Sequence, residues 1–245
     1  SRPVVNYNDL HSNAGYDFYN NTDKSVYAEL NGKYNWWGST TTTAMDAGSN
    51  PKDIAKIYDK YDNDAKGFVN YGGWLNQSGG TPTATSSTGS ILLTDSDGTE
   101  QLNFASGSTL YIKITDADRN TNSGSAQTIT ATVKSETETT AESVTLTETG
   151  VNTGIFMGSI AFEVATASNG DSKLQVTKGD KLTGSYTDPA DDFGNEKTVT
   201  DLAFYAVSLI TGTIATNTTW TKANSPYLIT GDATVNEGKT LTIEP

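Results

Sequence analysis

Short apolar runs broken by Asn- and Gly-rich corners pattern the start of the chain: Val4-Val5-Asn6-Tyr7-Asn8, then Gly15-Tyr16-Asp17-Phe18-Tyr19-Asn20-Asn21, then Ser25-Val26-Tyr27-Ala28-Glu29. Asn6-Tyr7-Asn8 returns as Lys33-Tyr34-Asn35, 27 residues on, near the length of one coil of a β-solenoid. Stacked coils superpose like residues, so the repeat predicts a Tyr7/Tyr34 ring stack and an Asn8/Asn35 amide ladder. Asn suits such corners because it tolerates a left-handed backbone and hydrogen-bonds its neighbours.

A helical period replaces this pattern over residues 51–64. Asn50 is placed to cap it, Pro51 fits its first position and Asp53 suits the positive end of the dipole, while Ile54, Ile57, Tyr58 and Tyr61 fall on one face. The expected task of this helix is to cover the open end of the coil stack. Residues 76–90 lack large apolar side chains and read as a flexible linker.

From Ile91 the period becomes two. Leu110/Ile112/Ile114 and Ile129/Ala131/Val133 alternate with polar residues, and further short strands follow between Gly, Asn and Asp turns up to Tyr205. That spacing predicts an immunoglobulin-like β-sandwich over 91–207. Residues 208–245 return to solenoid character, with Leu228 to Val235 and Thr240 to Ile243 as strands around the corner Asn236-Glu237-Gly238-Lys239.

Composition agrees with an all-β chain, being rich in Thr, Gly, Asn and Ser and poor in large apolar residues. Cysteine is absent, which excludes disulfides and thiolate ligands. The net charge of −13 argues against nucleic acid and anionic membranes and makes cations the expected partners. The acidity is concentrated in residues 91–207, with 7 basic against 17 acidic side chains. No apolar run is long enough to insert in a membrane, and Ser1-Arg2-Pro3 reads as the start of a processed or excised chain.

Asp116, Asp118 and Asn120 alternate just after a strand, a spacing that lets a turning loop converge oxygens on a hard cation. Calcium needs six to eight oxygens, so Glu148, Asp188 and Asp191 are the expected additional ligands. The bland alternative is a set of solvated turn residues that end the strand. Asp9, Asp17, Glu29 and His11 are candidates for acid–base chemistry, but they fall at solvent-facing or corner positions and no catalytic motif joins them, so the chain is not expected to be an enzyme. Trp36-Trp37 would suit sugar stacking if exposed, although burial of at least one ring is the cheaper arrangement.

Asn35-Trp36-Trp37-Gly38, Asn50-Pro51 with Ile54 and Ile57, Tyr58-Asp59 and Gly67-Phe68-Val69-Asn70-Tyr71 together resemble the closing coils of right-handed parallel β-helix, pectin-lyase-like repeats in large prokaryotic surface proteins. Tyr227 to Asp232 and Gly238 to Pro245 look like the opening coil of the same family. Thr115 to Asn120 and Glu148 to Phe156 are similar to Ig-like modules of surface-layer and adhesin-type proteins. The resemblance implies partial β-helix ends (1–75, with a short capping helix, and 208–245) flanking an Ig-like sandwich.

It also implies an extracellular, cell-surface setting in a filament, surface layer or long adhesin. The expected partners are copies of the chain stacked head-to-tail or adjacent modules of a longer chain, with cell-wall or host glycans as the alternative ligand. The expected contact residues are Val4, Val5, Tyr7, Leu228, Ile229, Val235, Leu241 and Ile243. Those two coil surfaces are complementary in kind: each is an unpaired strand edge over an apolar stripe.

Overall fold

Tyr7 and Tyr34, the repeated tyrosines, stack with ring centroids 5.4 Å apart. This contact belongs to a computed structural model that describes residues 3–245; Ser1 and Arg2, read above as a processed start, lie outside the described residues. The chain is mostly β, with 40% strand and 6% helix. It divides into a first unit of residues 1–88 with 189–197, and a second of residues 89–188 with 198–245.

The first unit is built from parallel pairs. Val4 bridges to Asn31 and Asp9 to Trp36, β1 (Phe18–Tyr19) pairs with β3 (Ile57–Tyr58), and β2 (Glu29–Asn31) pairs with β4 (Phe68–Asn70). Trp37, Met45, Ile54, Ile57, Phe68, Val69, Tyr71 and Trp74 form its core. The α-helix α1 (Gly38–Asp46) sits on this core through buried Met45, Thr41 and Thr42.

The helix expected over 51–64 does not form. Asp and Asn side chains there bind nearby backbone instead: Asp59 accepts the N–H of Tyr61 (2.9 Å) and of Val69 (2.9 Å), Asp62 accepts that of Asp59 (3.0 Å), and Asn63 that of Ala65 (3.0 Å). Such bonds compete with a helical ladder. Ile54 and Ile57 still enter the core, but from a turn and from β3. Asn50, expected to start that helix, closes the end of α1 by donating to the Met45 carbonyl (2.7 Å).

The stretch expected as a linker is ordered where it follows Trp74. Leu75 bridges to Pro82, Thr83 N–H donates to the Trp74 carbonyl (2.9 Å), and Asn76 accepts from Thr81 N–H (3.1 Å). Residues 189–197, which connect two strands of the second unit, complete the first. Asp192 pairs with Lys33 (2.7 Å), accepts from Asn70 (3.1 Å) and Thr88 (2.8 Å), and Phe193 packs edge-on against Tyr71 (5.1 Å).

The second unit contains β5 (Ser90–Thr94), β6 (Asn103–Phe104), β7 (Thr109–Thr115), β8 (Thr128–Lys134), β9 (Glu142–Glu148), β10 (Ile155–Glu163), β11 (Lys173–Gln175), β12 (Lys181–Asp188) and β13 (Lys197–Tyr205). They make one nine-stranded sheet in the order β5-β7-β10-β9-β8-β12-β13-β6, with β11 beside β10. The two facing sheets of a sandwich are thus replaced by a single hydrogen-bonded sheet that curls into a half-barrel.

Curling brings β5 over β12 and β13. A Cβ on Gly184 would meet Leu93 at 2.7 Å, and Leu93 N–H donates to the Asp201 carboxylate at 2.6 Å, a side-chain bond where a ladder would otherwise run. The alternating residues Leu110, Ile112 and Ile114 of β7, and Ile129, Ala131 and Val133 of β8, all face the enclosed core as their period of two requires.

Four strands follow: β14 (Ser208–Ile214), β15 (Thr218–Trp220), β16 (Tyr227–Val235) and β17 (Leu241–Ile243). β14 pairs in parallel with β16, and β15 with β17. Asn103 fastens this segment to the sheet by bonding both N–H (2.9 Å) and carbonyl (3.1 Å) of Val207.

Candidate functional site

The coil at 208–245 has strands but no interior: not one of its side chains is buried. Its registers are well defined, Ser208 opposite Tyr227 and Trp220 opposite Ile243, with a shift between Ile210 and Gly212. Trp220 and Tyr227 stack at 4.9 Å. Among the described residues each parallel pair is a two-stranded sheet, so every strand keeps one unpaired edge. Ile243 is 64% exposed and Ile229 56%; Leu209 and Val235 are also exposed, while Leu228 and Leu241 are half-buried.

Five of these residues were expected from sequence as contacts, and none of them is buried: Leu228, Ile229, Val235, Leu241 and Ile243. Leu209, Ile210, Ile214 and Trp220 were missed. They supply the earlier coil on which β16 and β17 lie, and the signal available was their alternation with Thr in Leu209-Ile210-Thr211 and Thr213-Ile214.

The other expected contact surface is the first coil of the first unit. Val4 and Tyr7 are exposed and Val5 is half-buried. Asn35, fully buried, locks this coil to the next: its side-chain oxygen accepts from Asn8 N–H (2.8 Å), and its amide donates to the carbonyls of Val5 (2.5 Å) and Gly32 (2.8 Å). The Asn8 side chain reaches the same oxygen at 3.3 Å, which is the expected ladder.

Of the residues expected to hold calcium, Asp116, Glu148, Asp188 and Asp191 accept from backbone N–H groups. Asp116, buried, accepts from Asp118 N–H (2.9 Å) and the Tyr186 hydroxyl (2.6 Å); burial first, then this carboxylate, push the Tyr186 hydroxyl up. Asn120 donates to Asn152 (2.6 Å). Glu148 accepts from the N–H of Thr153 (2.7 Å), Gly154 (2.8 Å) and Gln127 (3.3 Å). Burial alone would raise its carboxyl, and these N–H groups outweigh that and hold it below the usual range.

Asp188 accepts from Gly89 N–H (2.7 Å). Asp191 lies in the first unit and accepts from Phe193 (2.9 Å) and Asn195 (3.0 Å) N–H. Among the described residues no three acids or histidines gather as a metal-ligand group.

The acid–base candidates are similarly occupied. Asp17 accepts from Asn13 N–H (3.0 Å), Glu29 from the Asn70 amide (3.1 Å) and Asp9 from the Ser78 hydroxyl. His11 lies edge-on to Trp36 (4.5 Å) with Nδ1 at 2.6 Å from the Ser12 hydroxyl. Trp37 is buried, whereas Trp36 lines an open cleft of about 400 Å³ with His11, Asp17, Thr41 and Lys56.

Among the described residues no helix is long and apolar enough to cross a membrane. No protein-family model matches the chain, and no curated protein matches it.

Proposed function

We propose that the chain is a structural module of an extracellular, cell-surface assembly, joined to its neighbours by stacking of coil ends rather than by catalysis. The neighbours are copies of itself, head-to-tail, or adjacent modules of a longer chain. The observation that carries this reading is the coil at 208–245, none of whose side chains is buried and which leaves Leu209, Ile229, Val235 and Ile243 exposed. Two-stranded sheets are marginal in water unless a further strand or layer covers their apolar face.

A second coil laid on β16 and β17 would pair the free edges and cover Ile229 and Ile243, each worth about 1.5–3 kcal/mol when fully buried. The Val4–Tyr7 coil offers the matching kind of edge. A contact of that type between copies is heterologous and need not close, which yields a fibre.

The test is the mass of the purified chain by light scattering over a range of concentrations, with negative-stain microscopy of the largest species. Removal of residues 227–245 should leave a monomer with its nine-stranded sheet intact. If the parent chain stays monomeric at every concentration, or the truncated chain assembles equally, the reading fails.

A second reading, glycan binding, is favoured by the Trp36 cleft, where an aromatic ring lies among polar groups. It predicts retention on immobilised polysaccharide that Trp36→Ala removes while the truncation does not.

A further inference from the structure

Ser135 and Glu138 close the turn between β8 and β9. Glu138 N–H donates to the Ser135 hydroxyl (2.8 Å), Ser135 N–H donates to the Glu138 carbonyl (3.0 Å), and the Ser135 hydroxyl donates to the Gln175 carbonyl (2.6 Å). Glu138 is thereby fixed in a fully buried position, where its Oε2 accepts from Gln175 N–H (3.0 Å). As a carboxylate it would leave Oε1 buried with no donor to accept from, a costly arrangement.

Its hydrogen-bonding neighbour is Glu142, at the start of β9 and also buried. Both oxygens of Glu142 are already used by the exposed loop 164–172: Oε1 accepts from Gly170 N–H and Oε2 from Ser172 N–H (3.2 Å). Ser168 N–H of the same loop donates to the Gln175 side chain (3.0 Å). Two adjacent buried carboxyls do not both ionise cheaply, whereas one proton between them replaces a like-charge contact by a charge-assisted hydrogen bond. Donor counting puts that proton on Glu138, because Glu142 has an N–H at each oxygen and Glu138 has a bare one.

The surrounding charges do not offer a counter-ion instead. Asp171, exposed in the loop, accepts from the Gln175 amide (3.0 Å), which also donates to Glu163 (3.2 Å), and Lys173 is engaged with Glu163 (2.7 Å). Within the turn, Asp180 accepts from Thr137 N–H (3.0 Å) and Glu136 from Lys181 N–H (3.1 Å), while Lys134 and Lys181 line an open cleft with Glu136. Among the described residues neither Glu138 nor Glu142 is ion-paired with a lysine or arginine. Burial pushes the Glu138 carboxyl up, Gln175 N–H opposes this, and the charges of Glu142 and Asp171 add to the rise, which prevails.

We propose that Glu138 and Glu142 share one proton, carried on Glu138 Oε1, and that this bond is a pH-sensitive latch which holds Glu142 against loop 164–172 and frees the loop when the proton leaves to solvent. The contribution to stability is complete below the ordinary glutamate value of about 4.3 and is lost as pH rises through the higher folded value. The latch uses none of the Asp116 loop and does not depend on the assembly reading.

The test is an NMR titration of the whole chain that follows the Glu138 side-chain carboxyl and the Gly170 amide. Hydrogen exchange of Gly170 and Ser172 is measured over the same pH range and corrected for its intrinsic pH dependence. Glu138 should titrate above about 4.3, with Gly170 shifting in the same step. Loop exchange should speed up about tenfold per pH unit between that value and the folded one, then level off. Glu138→Gln, whose amide donates to Glu142 at every pH, should keep the loop protected throughout. Titration of Glu138 at or below the ordinary value overturns the proposal, as does a Gly170 signal that ignores the step or equal loosening of the loop in folded Glu138→Gln. Should that variant fail to fold, the parent's titration and the Gly170 step decide alone.

Discussion

Asn35 shows how much one side chain decides in a stack of coils. Fully buried, it bonds Asn8, Val5 and Gly32, so its loss strands the buried Gly32 carbonyl and the partly buried Val5 carbonyl and Asn8 N–H. At about 1–3 kcal/mol for each buried polar group left unsatisfied, Asn35→Ala should lower unfolding free energy by roughly 2–4 kcal/mol in urea titrations. Glu148 makes the complementary point about charge. Its folded carboxyl is held below the ordinary value of about 4.3, so it adds stability above that pH and surrenders it as pH falls through the folded value. Glu148→Gln should be less stable than the parent at neutral pH, and the gap should narrow on acidification; a gap of constant size would show that charge is not what matters there.

Tyr7, Asn8 and Asn35 were legible in sequence because stacking superposes residues at equal spacing. The N–H bonds of Asp116 and Glu148 were not, because the alternation of acids that suggests a cation loop is the same alternation that lets carboxylates take up turn N–H groups.

At the scale of elements, the α-helix lies over Gly38–Asp46 and not over the expected 51–64. Gly38–Asp46 carries four consecutive threonines and no side-chain cap at its N-terminus, a poor helix by propensity. It forms because Met45, Thr41 and Thr42 reach the core beside Trp37. Burial, not propensity, is then its support, and Met45→Ala should cost about 2–5 kcal/mol. Thermal melting of that variant checks this; a change within a few tenths of a kcal/mol would mean that the helix stands without its anchor. The strands of the curled sheet were readable from their period of two, which records which face is buried but not whether the ladder breaks into two sheets. Gly184 and Asp201 decide that by letting β5 close over β12 and β13.

At the scale of the whole molecule, the sequence pattern of residues 208–245 marked parallel strand pairs rich in exposed apolar side chains, which is what β14 to β17 show. The assembly prediction belongs here. A single charge on the bare stripe, Ile243→Lys, should act as the truncation does, leaving a folded monomer, because a buried ammonium would oppose any second layer. Light scattering of the two variants side by side checks that they agree.

The chain leaves its first unit at residue 88 and returns at 189 with the segment that supplies Asp192 to Lys33 and Phe193 to Tyr71. A ribosome adding roughly 5–20 residues per second therefore delivers the missing piece on the order of 5–20 s after the rest of that unit has emerged. Throughout this wait Lys33 lacks the Asp192 carboxylate and Tyr71 lacks the Phe193 ring, so the nascent chain carries a half-finished body until β5 through β12 have been made.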